Sequence, residues 1–345
     1  MYTDMMKAAA LSRRSALLGG LGMGAAALGA GLGLNSNAAE AAAAAQSRNL
    51  KPLDLDDAKE NVYAFTKLWF GLGEPVFGAY HGVQYALIGK NRLKPVFGYA
   101  GGGHMQGKIL DNGHARIRGK EVGVFTDLAT GEVLDEWKNP WTGEVIKPFN
   151  FFNPNVRGEI GTDMPKFQFG TDEDEATVMN EADTLNADSG EIPFILPWQR
   201  FGDQYTLAWD YAHEYTNPVT ADKWPKASTG PRINPSEHFV FYTPQNIMDD
   251  RDAPSAPFQS GFFRQGPWWP WMLMGGSGVE GTLIGRMHSY KITGTIADYP
   301  RKILDYVEKH YPEYFTPADD WNDGFPMGTW EAYARDVPPE VQPAE

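Results

Sequence analysis

The stretch that decides the fold is Val122–Phe149, VGVFTDLATGEVLDEWKNPWTGEVIKPF. Segments rich in β-branched and aromatic residues alternate here with two turn signals, each containing a Thr-Gly-Glu triplet. Each triplet stands where a strand restarts after a tight turn. The stretch therefore predicts an antiparallel meander of three strands over Val122–Thr126, Val133–Trp137 and Val145–Phe149.

The same pattern continues on both sides of this meander. It predicts further strands at Val76–Ile88, Lys94–Tyr99, Lys108–Ile117, Tyr205–Tyr211, Glu237–Thr243, Gln259–Phe263 and Gly281–Ile292, and it extends the first strand of the meander to Glu121–Thr126. The run Gly101-Gly102-Gly103-His104 lacks the Lys-Ser/Thr of a phosphate-binding loop, and we expect it to be a flexible connection between strands. Residues 151–170 show no periodicity.

Apolar residues spaced three or four apart predict only a few helices. These are an amphipathic helix over Asp54–Phe70 with Asp54 as its N-cap, a helix over Tyr299–His310, and a short one over Thr329–Arg335. We therefore expect a mainly β fold: an antiparallel, highly curved sheet or barrel-like single domain with a few flanking α-helices. The domain spans residues 54–335, preceded by a tether at 46–53 and followed by a tail at 336–345.

The N-terminus predicts export. Ser12-Arg13-Arg14-Ser15 precedes a weakly apolar Gly/Ala-rich run, and Ala43-Ala44-Ala45 offers a small-residue cleavage site. This pattern is typical of a twin-arginine signal peptide over residues 1–45. A Gly/Ala-rich run is a poor permanent membrane span, so we expect a periplasmic protein, delivered by the twin-arginine export machinery and not stably inserted in the membrane.

Composition excludes several classes of partner and cofactor. The net charge is -14 and no basic cluster exists, so nucleic acid is not an expected partner. There is no cysteine, and the seven histidines show no metal-binding spacing; we predict no metal and no cofactor. Residues 171–191 carry eight acids and no base, which indicates a solvated loop, because the pattern of a calcium loop is missing.

Several motifs together resemble a known family. They are Gly73-Glu74-Pro75 leading into Tyr80-His81-Gly82-Val83, the turn Trp137–Glu144, the aromatic run after Arg264 that ends at Met274-Gly275, and the helix after Tyr299-Pro300. The chain resembles, from about residue 50 to about residue 335, a bacterial family catalogued as domain of unknown function 1838. Members of that family often carry twin-arginine leaders. The resemblance implies one fold unit and export, but no reaction.

The aromatic run RQGPWWPWMLMGG (264–276) is the strongest candidate for ligand binding. Its prolines break the amphipathic helix that a membrane role requires. The run is either a packing corner or the wall of a cavity for an aromatic or polycyclic guest. The predicted ligand-binding residues are Trp268, Trp269, Trp271, Met272, Met274 and Arg286.

Two functions remain open at this point. In Tyr211-Ala212-His213, alternation places Tyr211 and His213 on one face, where they could act as acid–base groups with Arg264 stabilising an anion. This hypothesis describes a cofactor-independent lyase or isomerase acting on an apolar, oxygenated small molecule. The alternative is a periplasmic protein that binds or sequesters such a molecule without chemistry.

Overall fold

The structure is a computed structural model, and it describes residues 49–89, 92–163, 167–169, 177–179, 193–212, 214–291, 299–315, 321 and 328–341. The leader, most of the acidic segment and His213 lie outside these residues. The described helices are α1 (Ala58–Trp69), α2 (Gln245–Met248), α3 (Arg301–His310) and α4 (Thr329–Asp336), with 3-10 turns at Pro270–Met272 and Pro312–Phe315. No helix in the described part of the chain is long and apolar enough to cross a lipid bilayer.

Strands dominate the fold. They are β1 (Val76–Ile88), β2 (Arg92–Ile109), β3 (Ala115–Thr126), β4 (Trp137–Lys138), β5 (Val145–Ile146), β6 (Phe151–Ile160), β7 (Phe167–Phe169), β8 (Thr177–Met179), β9 (Trp198–Phe201), β10 (Gln204–Ala212), β11 (Tyr215–Thr216), β12 (Arg232–Ile233), β13 (Ser236–Pro244), β14 (Gln259–Gly266) and β15 (Gly281–Lys291).

Nine of these strands form one sheet in the order β6-β3-β2-β1-β15-β14-β13-β10-β9, and every neighbouring pair is antiparallel. The pairs β4–β5, β7–β8 and β11–β12 form small separate sheets. The mainly β, antiparallel prediction is confirmed. In the described residues, β6 and β9 do not pair with each other, so the sheet has two edges there.

The prediction of a connection at Gly101-Gly102-Gly103-His104 is wrong, because this run lies inside the continuous strand β2. A Cβ at Gly101 would lie 2.2 Å from the carbonyl oxygen of Val122 and 2.6 Å from the Tyr80 hydroxyl. The glycine is therefore needed for close packing against its neighbours, and flexibility does not explain it.

Other boundaries also differ from the predictions. The N-cap of α1 is Asp57, whose carboxylate accepts a hydrogen bond from the Glu60 amide, and Asp54 is not the cap. Predicted strand Lys108–Ile117 contains the turn between β2 and β3, where Gly113 has a φ of 89°. The aperiodic residues after Phe151 begin with strand β6, and the meander forms only the two-residue strands β4 and β5 after β3.

Helices and loops cover the two faces of the large sheet differently. On one face, Ile303, Leu304 and Val307 of α3 pack on small apolar residues of β1, β2 and β3. On the other face, α1 covers one end, where Phe65 contacts the ring of Trp209. The segment 268–274 covers the other end of that same face. We call the face between α1 and this segment the inner face.

Candidate functional site

The middle of the inner face is less tightly covered than its two ends. Register and alternation place one set of half-buried residues there, which we call the central band: Val76, Gly78, Tyr80, Glu121, Trp209, Glu237, Phe239, Phe262 and Ser289. A Cβ built on Gly78 would meet no atom within 4 Å, so the backbone of β1 borders open space at this point.

Glu121 and two tyrosines form a hydrogen-bonded group in the central band. The rings of Tyr80 and Tyr99 stack with 5.5 Å between their centroids. The Tyr80 hydroxyl lies 3.2 Å from the carbonyl oxygen of Val122, and it also forms hydrogen bonds with the Tyr99 hydroxyl and the Glu121 carboxyl. The three side chains come from β1, β2 and β3, so the sheet itself fixes their spacing.

Glycines make room for these tyrosines. A Cβ at Gly123 would lie 2.3 Å from the Tyr99 hydroxyl and 2.7 Å from the Tyr80 hydroxyl. These contacts are too short for a carbon atom, so the two hydroxyls lie directly over the glycine backbone. Any larger residue at Gly123 would displace the hydrogen-bonded group.

The environment shifts the pKa of each member of the group. Burial raises the pKa of Glu121, the hydrogen bond from Tyr80 lowers it in part, and the charge of Glu237 adds a smaller rise, so that the pKa is about 7. Burial also raises the pKa of Tyr80 and of Tyr99 far above that of free tyrosine. Near neutral pH, Glu121 is therefore present in both its protonated and its ionised form, whereas both tyrosines keep their protons.

A second polar pair lies further along the band. Arg264 Nε donates to Glu237 Oε1 at 3.2 Å, and the guanidinium carbon lies 4.6 Å from the Trp269 ring centroid. Burial raises the pKa of Glu237, while the charge of Arg264 and their hydrogen bond lower it. The Arg264 side chain is only 7% exposed, and that of Glu237 is 21% exposed. Arg264 is thus fixed between its carboxylate partner and an indole.

An aromatic wall borders these polar groups. Phe239 contacts Phe262 with 4.5 Å between ring centroids, and it stacks on Trp209 at 6.0 Å. Trp69, at the end of α1, lies 5.3 Å from Phe239. These rings are half-buried, so they offer apolar surface within the central band.

The predicted tryptophan site lies deeper than this band. Trp268, Trp269 and Trp271 are 4%, 6% and 1% exposed, and they belong to one buried cluster with Met272 and Met274. This burial favours the packing-corner alternative. The prediction that these five residues bind a ligand remains a prediction.

The structure brings together only some of the predicted acid–base residues. Arg264 lies on the inner face, whereas Arg286 is exposed on the opposite face and packs on the Tyr85 ring. Tyr211 pairs in register with Glu237, near the end of β10. His213, which follows β10, lies outside the described residues.

Sequence reasoning missed Glu121, Glu237, Tyr80 and Tyr99 as site residues. One signal was available: in Glu121–Phe125, alternation places the carboxylate on the same face as Gly123 and Phe125, which is unusual for a solvated charge. The interaction between the charges of Glu121 and Glu237 could not be read from the sequence, because spacing along the chain does not reveal it. Within the described ranges, no group of three or more His, Asp or Glu side chains is arranged to hold a metal ion.

Together these features define a class of protein: an antiparallel β-sheet domain that carries buried ionisable groups and aromatic rings on one face. The chain belongs to the family described as Protein of unknown function (DUF1838), whose profile matches residues 73–337. The family resemblance inferred from the motifs is thereby confirmed. A search of curated proteins found no match.

Proposed function

We propose that this protein is a cofactor-independent enzyme, an isomerase or lyase, that moves a proton on an apolar, oxygenated small molecule bound over the central band. The single observation that carries the proposal is the Glu121 carboxyl: it has a pKa of about 7, it belongs to a partly buried residue of the central band, and it is hydrogen-bonded to Tyr80. Groups with a pKa near the working pH are the most effective acid–base catalysts.

The chemistry follows from the roles of these side chains. Ionised Glu121 takes a proton from the carbon beside a substrate carbonyl, so that a C–H bond breaks and an O–H bond forms on the carboxyl. The electron pair moves to the carbonyl oxygen, where the Tyr99 hydroxyl donates a hydrogen bond to the developing charge, while Tyr80 holds Tyr99 and the Glu121 carboxyl in place. Return of the proton to a different carbon completes an isomerisation. In this scheme Arg264 holds Glu237 and does not contact the reacting atoms.

The proposal includes a strongly curved, barrel-like sheet that surrounds a cleft. Glu121 on β3 and Glu237 on β13 are five strands apart, which is about 24 Å in a flat sheet. Their charges nevertheless interact, and Tyr99 on β2 is influenced by both Glu237 and Arg264. Curvature that brings these strands towards each other accounts for this coupling.

Proton exchange on a bicyclic ketone tests the catalytic proposal. We expect the protein to accelerate exchange of the α-hydrogens of 2-tetralone in D2O, followed by NMR, with a rate that rises as pH increases through about 7. Glu121→Gln should reduce this acceleration by about 100-fold or more. The matched control is Glu308→Gln, which alters an exposed carboxylate on α3. Wild-type exchange no faster than in buffer, or equal exchange with Glu121→Gln, would contradict the proposal.

The aromatic wall supports the alternative, a binding or sequestration protein. Saturable quenching of tryptophan fluorescence by 2-tetralone without any exchange would favour that alternative. For either function we propose a periplasmic location reached through the twin-arginine pathway. Undiminished export after replacing Arg13 and Arg14 together by lysine would refute that route.

A further inference from the structure

We propose that Glu237, Gln84 and Arg264 form a specificity subsite that recognises a hydroxyl group on the substrate, at the end remote from Glu121. The proposal deepens the proposed function and rests on it for the class of substrate. It is carried by the register of four strands and by a buried amide whose hydrogen-bonding capacity is unused in the described part of the chain.

The subsite is a row of residues that crosses the inner face. Gln84 on β1 pairs with Gly285 on β15, Gly285 pairs with Arg264 on β14, and Arg264 pairs with Glu237 on β13. Gly285 has no side chain, and a Cβ there would lie 3.1 Å from Nε2 and 3.3 Å from Oε1 of Gln84. The amide therefore lies over Gly285, in the direction of Arg264.

The Gln84 amide is the first indication of a ligand. Gln84 is 1% exposed, yet neither Nε2 nor Oε1 has a hydrogen-bond partner among the described residues. Leaving a buried polar group unpaired costs about 1–3 kcal/mol, so buried amides are normally satisfied by protein, water or ligand. A ligand oxygen that accepts from Nε2 would supply the missing partner.

Glu237 supplies the complementary acceptor. In the described residues its carboxyl accepts one hydrogen bond, from Arg264 Nε, and its side chain remains 21% exposed on the inner face. A carboxylate has further lone pairs available for a second donor. A substrate hydroxyl would donate to Glu237 and accept from Gln84, while Arg264, held against Trp269, keeps the carboxylate in place.

The spacing fits a bicyclic substrate. Gln84 is four residues from Tyr80 on β1, a distance of roughly 13 Å along an extended strand. Phe262 and Phe239 occupy the row between these two positions. A fused aromatic ketone can therefore lie along the aromatic wall with its carbonyl near Tyr80 and Glu121 and its hydroxyl near Glu237.

The test compares two probes that differ only in the remote hydroxyl: 2-tetralone and 6-hydroxy-2-tetralone. Binding is measured by tryptophan fluorescence, so the result does not depend on catalysis. We expect the wild-type protein to bind the hydroxylated probe about tenfold more tightly or better, which is the usual range for a hydrogen bond to a charged group. Glu237→Gln and Gln84→Leu should each bring the ratio of the two dissociation constants towards one.

Gln84→Leu keeps the conclusion testable if Glu237→Gln does not fold, because it removes an amide that has no partner in the described residues. Glu308→Gln, which alters an exposed carboxylate on α3, serves as the matched control and should leave the ratio unchanged. Equal binding of the two probes by the wild type, a ratio that survives in both subsite variants, or no binding of either probe would overturn the subsite. Failure of the proposed function appears separately, as absence of exchange.

Discussion

The raised pKa of Glu121 makes a quantitative prediction about stability. Its pKa is about 7 in the folded protein against an ordinary value of 4.5, so between these pH values the folded state holds a proton that the unfolded state has lost. The free energy of unfolding should therefore fall as pH rises from 4.5 to 7. The rise of the pKa from 4.5 to about 7 corresponds to about 3.4 kcal/mol, and we expect about 1–2 kcal/mol because Glu121 is only partly buried.

Glu121→Gln removes this pH-dependent loss of stability. The difference in free energy of unfolding between the variant and the wild type should therefore be about 1–2 kcal/mol more favourable at pH 8 than at pH 4. Urea unfolding followed by tryptophan fluorescence at the two pH values gives the difference. Glu308→Gln controls for the loss of one exposed carboxylate. If the stability change caused by Glu121→Gln is the same at pH 4 and pH 8, the carboxyl is not held in a desolvated site, and the catalytic argument loses its basis.

Two further predictions concern the buried Lys291 and the tryptophans Trp271 and Trp209. Burial and the charge of Lys67 lower the pKa of Lys291 to about 7, so the unfolded state binds more protons between pH 7 and 10.5, and the free energy of unfolding should rise with pH in that range. Lys291→Met should flatten this rise in urea titrations; an unchanged slope would refute the assignment. Trp271→Ala should cost about 3–5 kcal/mol of stability, whereas Trp209→Ala should weaken 2-tetralone binding more than folding. If Trp209→Ala weakens folding but leaves 2-tetralone binding unchanged, the aromatic wall does not bind ligand.

The strand pattern of the fold could be read from the sequence because it depends on local alternation. Predicted strand Val76–Ile88 has the observed bounds of β1, and predicted strand Gly281–Ile292 agrees with β15 up to Lys291, where the described residues of this strand end. The run Gly101-Gly102-Gly103 in β2 was wrongly predicted to be a connection, because glycine normally interrupts strands. The reason for glycine here is the close approach of neighbouring atoms, such as the Tyr80 hydroxyl over Gly101, which the sequence does not show. The edge strand β6 was missed for lack of periodicity.

The candidate site was predictable only in part. Arg264 could be identified because it flanks a conspicuous aromatic run, and the structure places it on the inner face. Glu121 and Glu237 are far apart in the chain, and nothing in the local pattern of either strand indicates that their charges interact. The aromatic run attracted attention through its composition, but large aromatic residues fill buried corners as readily as they line ligand sites.

The central position of β1 has a consequence for how the protein is made. β1 pairs on one side with β2, which follows it directly, and on the other with β15, so that Gly78 lies opposite Lys291 and most of the chain separates the two partners. Contacts of such long sequence separation slow folding, because a large loop must close before they form. The ribosome must therefore release nearly the whole chain before the middle of the sheet can assemble. A nascent chain that lacks β15 leaves an edge of β1 unpaired and open to association with other chains.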